Sequence, residues 1–155
     1  MSKKTPNAPK SGGARSASRL GAVQALYQME MSRKPAAHVV PEFLLHRLGS
    51  TIEDEQYAEA DNDFFRDLVE GSEKRQSEID SYIESALSTD WTLERVEPVV
   101  RAILRAGIYE LAARPDVPSK VVINEYVDVA KAFFEDTKPG FVNGILDRLS
   151  KQIRS

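Results

Sequence analysis

The chain contains no cysteine, which excludes thiolate metal sites, thiol catalysis and a disulfide framework. It has only two histidines, His38 and His46, eight positions apart, whereas a zinc pair on one helix face needs a spacing of roughly three or four. No apolar run approaches the ~18 residues of a membrane span. The start, Met-Ser-Lys-Lys, never leads into the apolar stretch of a secretory signal. Clear period-two strands and Asn-Gly hairpins are missing as well. Glu53-Asp54-Glu55 lacks the glycine and ligand spacing of a calcium loop, and Lys138-Pro139-Gly140 lacks the glycine-rich run of a phosphate loop. With no nucleophile, acid–base pair or metal set in view, catalysis is not expected, and neither is a metal or cofactor. A cytoplasmic protein without membrane contact is the simplest placement.

What is present is a hydrophobic fraction of 41% in 155 residues, enough to build the core of one domain or of two small subdomains. The net charge of -3 conceals an asymmetry. Residues 1–34 carry seven Lys/Arg (Lys3, Lys4, Lys10, Arg15, Arg19, Arg33, Lys34) against the single acid Glu30, a net +6. The other 121 residues hold fourteen basic and twenty-three acidic side chains, a net -9. A basic head on an acidic body can attract a polyanion at one end while repelling it elsewhere, although a merely solvated tail has the same composition.

The apolar spacing is helical almost throughout. Residues 1–14 offer little to bury and read as a disordered basic arm. From Arg15, Leu20, Val23, Leu26, Tyr27 and Met31 recur every three or four positions until Lys34-Pro35. Pro41 suits the first turn of a second helix with Phe43, Leu44, Leu45 and Leu48 on its buried face. Residues 49–63 are polar and acidic and read as a loop ending in the capping candidates Asp61-Asn62-Asp63. Phe64 to Leu87 forms one long helix or two. Pro98 opens the next, Pro115 and Pro118 mark a turn, and Lys138-Pro139-Gly140 breaks the pattern before a final helix from Phe141. Gly107 and Gly144, inside helical patterns, predict close helix crossings. The expected fold is all-α, with about six or seven helices in two small packed bundles. The expected organisation is the arm 1–14 and a single domain 15–155 of two subdomains, about 15–60 and 61–155.

Three stretches narrow the function. They are Ala22-Val23-Gln24-Ala25-Leu26-Tyr27 after an arginine-bearing start, Arg105-Ala106-Gly107-Ile108-Tyr109-Glu110-Leu111, and Val117-Pro118-Ser119-Lys120-Val121-Val122-Ile123-Asn124-Glu125 followed by Phe141-Val142-Asn143-Gly144-Ile145-Leu146-Asp147. In this order and spacing the chain closely resembles the NusB family of bacterial transcription antitermination factors, from about residue 15 to 153. The resemblance implies a two-bundle helical protein that pairs with NusE, a small-subunit ribosomal protein. The pair would bind the single-stranded boxA element of nascent ribosomal RNA and join the elongating RNA polymerase. Ser16 and Ala17 depart from the pattern, because other members can carry arginine there.

The residues are compatible with that task. Arg15 and Arg19 lie four apart, hence on one helix face, in first turns where the helix dipole disfavours cations and a bound anion would compensate. The resemblance places Tyr27 on the RNA side, where a phenol can stack on a base. It also marks Lys138, Phe141 and Asn143 as an aromatic platform beside a cation and an amide, with Lys120 as a further RNA candidate. Arg101 and Arg105, four apart, are candidates for contacts with NusE or RNA. Tyr27 and Phe141 could equally be ordinary core residues. Two other readings remain beside this one: a non-catalytic helical interaction scaffold without direct RNA specificity, and the NusB-like RNA-binding domain of a ribosomal RNA methyltransferase. The second is disfavoured because the chain ends at Ser155 with no methyltransferase domain. A homodimer through the arginine helix is left open.

Overall fold

A computed structural model describes residues 10–48 and 61–154. The basic arm ahead of residue 10 and residues 49–60 of the acidic stretch lie outside the described residues. Among those described there are seven α-helices, a π-helical segment, a 3-10 turn and no strand. The chain divides into two compact units, Met1–Glu70 and Gly71–Ser155. The division falls inside a helix.

In the first unit, α1 spans Lys10–Ser32, beginning ahead of the expected Arg15. Its end is a backbone device: the Lys34 N–H returns to the Met29 carbonyl at 3.2 Å, while Arg33 takes a φ of 60°. This is the left-handed termination that glycine usually supplies. A side chain there costs about 1 kcal/mol, partly offset by the greater freedom glycine has when unfolded. Arg33→Gly is therefore expected to raise the urea midpoint slightly, by about 0.5 kcal/mol of stability. A fall would show that the Arg33 side chain contributes more than its strained backbone costs.

The helix α2 (Ala36–Glu42) runs directly into a π-helical segment, Phe43–Leu48. Pro41 thus lies inside the helical run and not in its first turn. Lacking an N–H, it opens the regular ladder just before the register widens. The widened register also changes which residues are buried. Phe43 is buried and stacks on Phe65 with ring centroids 5.9 Å apart, whereas Leu45, expected in the core, is 72% exposed. The helix α3 (Asn62–Lys74) starts behind Asp61, whose Oδ1 accepts the Phe64 N–H at 3.0 Å, the capping bond the sequence anticipates.

The second unit contains the C-terminal end of α3 together with α4 (Gln76–Ala86), α5 (Pro98–Ala113), α6 (Ser119–Phe133) and α7 (Lys138–Ile153). The long pattern from Phe64 to Leu87 therefore resolves into two helices, parted at Arg75. The helix α5 is apolar on nearly every side and is the buried element of this unit, packed on α4, α6 and α7. Ile103, Leu104, Ile108, Leu111, Tyr126, Leu146 and Leu149 fill its core. Lys138-Pro139-Gly140 does not interrupt a helix. It forms the first turn of α7, where proline loses no bond.

The glycines separate by environment. A Cβ on Gly107 would lie 3.2 Å from Leu146, so α5 and α7 do approach closely there. Gly144 has nothing within 4 Å and marks no crossing. The tightest position is Gly71, where a Cβ would lie 2.1 Å from Tyr109 Cζ.

Arginines hold the connections of this unit. Arg154 donates to the carbonyls of Leu111 at 2.9 Å, Val117 at 2.6 Å and Arg114 at 2.8 Å, tying the end of α7 to the turn between α5 and α6. Those carbonyls follow or end a helix, where regular helical partners run out, and the Arg114 carbonyl also accepts the Val117 N–H at 3.0 Å.

Candidate nucleic-acid interface

In the first unit, α1 presents Arg15 and Arg19 to one aromatic ring. The two guanidinium carbons lie 4.6 and 5.0 Å from the centroid of Phe64. The four-residue spacing thus does place both arginines on one face. They differ in access: Arg19 is 3% exposed, while the Arg15 side chain is 35% exposed and lies 4.0 Å from Asp61 Oδ2. Arg19 is therefore an inner support on Phe64, and Arg15 is the arginine open to a ligand. Tyr27 lies two turns further along α1 and is 38% exposed, with Met31 beside it at 49%. That exposure is unlike a core tyrosine.

In the second unit, Lys138 opens α7 within a small cluster. Its ammonium lies 2.6 Å from Asp136 Oδ2, 3.8 Å from Glu97 Oε2 and 5.0 Å from the centroid of Phe134. Asp136 also accepts the Lys138 backbone N–H at 3.0 Å. The side-chain hydrogen bond holds the Asp136 carboxyl below its ordinary range and the Lys138 ammonium above its own. The pair is therefore charged throughout neutral pH. It is lost only as pH falls through the depressed Asp136 value or rises through the raised Lys138 value. Phe141, three residues on and so on the neighbouring surface of the helix, is 40% exposed. Asn143 is also exposed, and Lys120, exposed in the first turn of α6, has no hydrogen-bond or ion-pair partner among the described residues.

Arg101 and Arg105 have internal tasks. Arg101 is 7% exposed and donates to the carbonyls of Leu93 at 3.2 Å, Glu94 at 3.2 Å and Val96, clasping the 3-10 turn Leu93–Arg95 onto α5. Arg105 forms a two-pronged pair with Asp80 of α4 at 2.9 and 3.0 Å. Sequence spacing alone could not reveal these partners.

Sequence reasoning also leaves out Phe64, Phe134, Asp136 and Glu97 as supports of the exposed cations. Of these, only Asp136 carries a local signal, an acid two positions before Lys138. Among the described residues no group of His, Asp and Glu could hold a metal ion, and no helix is long and apolar enough to cross a membrane.

Cations seated on phenylalanine rings, beside half-exposed aromatic side chains, stand on a scaffold that is all-helical among the described residues. The chain belongs to the NusB family, whose model matches residues 16–151. A transcription antitermination protein NusB from Sphingopyxis alaskensis is 54% identical over 140 residues, covering 90% of this chain and 94% of the relative. The solved T. maritima NusB superposes with a TM-score of 0.74 at 32% identity, covering 97% of this chain and 94% of that one. A solved complex of the antitermination factors NusB and NusE with double-stranded RNA contains a chain of the same fold. It superposes with a TM-score of 0.71 at 24% identity, covering 88% of this chain and 96% of that one.

Proposed function

We propose that this chain is a non-catalytic, cytoplasmic transcription antitermination factor that binds boxA-type single-stranded RNA together with NusE and joins the RNA polymerase elongation complex. Family membership supports the role, and the solved relative that carries NusE and RNA supports the choice of partners. The observation that carries the RNA assignment is the start of α7. There a cation fixed by Asp136 stands three residues from a ring that is 40% exposed. An unpaired base can stack on such a ring while its phosphate meets the cation. In the first unit, Arg15 supplies the phosphate contact and Tyr27 a second stacking surface, with Arg19 holding Phe64 in place. Asn143 and Lys120 extend the contacts of the second unit. Arg101 and Arg105 act by keeping the connector and α4 on α5, and so shape any partner surface without touching the partner.

The internal engagement of Arg19, Arg101 and Arg105 favours one second reading, a scaffold that meets RNA only through its partner. Fluorescence anisotropy with a boxA-like RNA separates the two. Under direct binding, Phe141→Ala is expected to weaken RNA affinity by about five- to 150-fold, equivalent to about 1–3 kcal/mol for one lost stacking contact. Arg15→Ala is expected to weaken it and to lower the salt slope by about one. Unchanged affinity in both variants, measured without NusE, would favour the scaffold.

A further inference from the structure

We propose that Asp61 sets the RNA affinity of α1: its carboxylate is held beside Arg15, so a backbone phosphate that reaches the same guanidinium binds against a fixed negative charge. The inference rests on the RNA-binding reading above and adds to it a residue that touches no RNA.

The two carboxylate oxygens of Asp61 have separate tasks. Oδ1 accepts the Phe64 N–H at 3.0 Å and caps α3, and Oδ2 faces the Arg15 Nε at 4.0 Å. The backbone of Asp61 is itself fastened to α1 on either side of Arg15. Its N–H donates to the Ala14 carbonyl at 3.3 Å, and its carbonyl accepts the Ser18 hydroxyl at 2.7 Å. With the cap holding one oxygen and α1 holding the main chain, the carboxylate cannot swing away from the arginine. Arg15 is restrained from the other side, because its guanidinium lies 4.6 Å from the centre of the Phe64 ring. Stacking on that face leaves the N–H edges of the fork to point outward.

The separation matters. At 4.0 Å the Asp61–Arg15 pair attracts by charge but is too long for a direct N–H···O bond, and the two side chains remain 35% and 37% exposed. An incoming phosphate can form the short, charge-assisted bonds that Asp61 does not, and no bond to Asp61 has to break first. The same fixed carboxylate then repels the phosphate and weakens RNA binding. Asp61 thus lowers affinity at Arg15 while keeping the arginine oriented.

The experiment separates capping from charge. Asparagine caps a helix about as well as aspartate, and serine nearly so, but neither is charged. The full chain, as wild type, Asp61→Asn, Asp61→Ser, Arg15→Ala and Asp61→Asn/Arg15→Ala, is titrated into a fluorescein-labelled boxA-like single-stranded RNA at low and high salt, with thermal unfolding recorded for each. Both Asp61 variants are expected to bind about three- to ten-fold more tightly than wild type at low salt. The gain should shrink at high salt and disappear in the Arg15→Ala background. No gain from a folded variant would overturn the proposal. An equal gain with Arg15 absent would also overturn it, since the effect would then be one of net charge. If wild type binds no RNA at either salt, the RNA-binding reading falls and this inference falls with it. Wild-type binding without an Asp61 effect sinks the inference alone.

Discussion

Replacing Gly71 with alanine is expected to destabilise the protein by about 2 kcal/mol, although the same exchange inside an unobstructed helix stabilises by about 1 kcal/mol. The reason is one contact. The added methyl would lie 2.1 Å from Cζ and 2.3 Å from the hydroxyl oxygen of Tyr109, a ring that is itself only 7% exposed. Neither group can yield without displacing α3 from α5 or turning the tyrosine out of a packed interior. Gly144→Ala is the control, since nothing lies within 4 Å of its added methyl, and it should be neutral or stabilising by up to about 1 kcal/mol. Urea unfolding of both variants measures the contrast. Equal midpoints for the two would mean that Tyr109 can move at little cost.

Arg101→Ala is expected to cost about 3 kcal/mol, well above the ~1 kcal/mol expected of an exposed ion pair. The guanidinium is the donor to the carbonyls of Leu93, Glu94 and Val96 at a site that excludes most water. Without it, the Glu94 and Val96 carbonyls lose this donor, while the Leu93 carbonyl keeps the Val96 N–H at 3.1 Å. Arg101→Lys keeps the charge but cannot present the fork to several carbonyls at once, so it should recover only part of the loss. Thermal melts of the two variants test the assignment. If Arg101→Ala melts like wild type yet loses partner binding, the arginine contacts the partner directly.

These two positions also show what the sequence could and could not convey. The helical pattern, the breaks at Pro35, Pro115 and Pro118 and the cap at Asp61 were legible because each follows from local spacing or backbone chemistry. The same spacing correctly put Arg15 and Arg19 on one face. It could not say that Phe64, distant in sequence, would lie against that face and take Arg19 into the interior. Gly71, Gly107 and Gly144 are likewise indistinguishable as letters, because closeness to Tyr109 or Leu146 is a property of packed helices. Leu45 followed the apolar pattern and is still exposed, since a π-helical turn after Pro41 shifts the register on which the pattern depends. In the candidate site, residue types were legible while their partners were not. Lys138 was visible, but Phe134 and Glu97 join it only through the fold.

The most direct test of direct RNA recognition is fluorescence anisotropy of a boxA-like single-stranded RNA titrated with the wild-type chain, alone and with NusE, beside a scrambled RNA at two salt concentrations. The expected result is preference for the boxA-like sequence, tighter binding with NusE present, and affinity that falls steeply with salt. Equal binding of the scrambled RNA with NusE present would contradict it, and would leave a NusB-family scaffold without RNA specificity of its own.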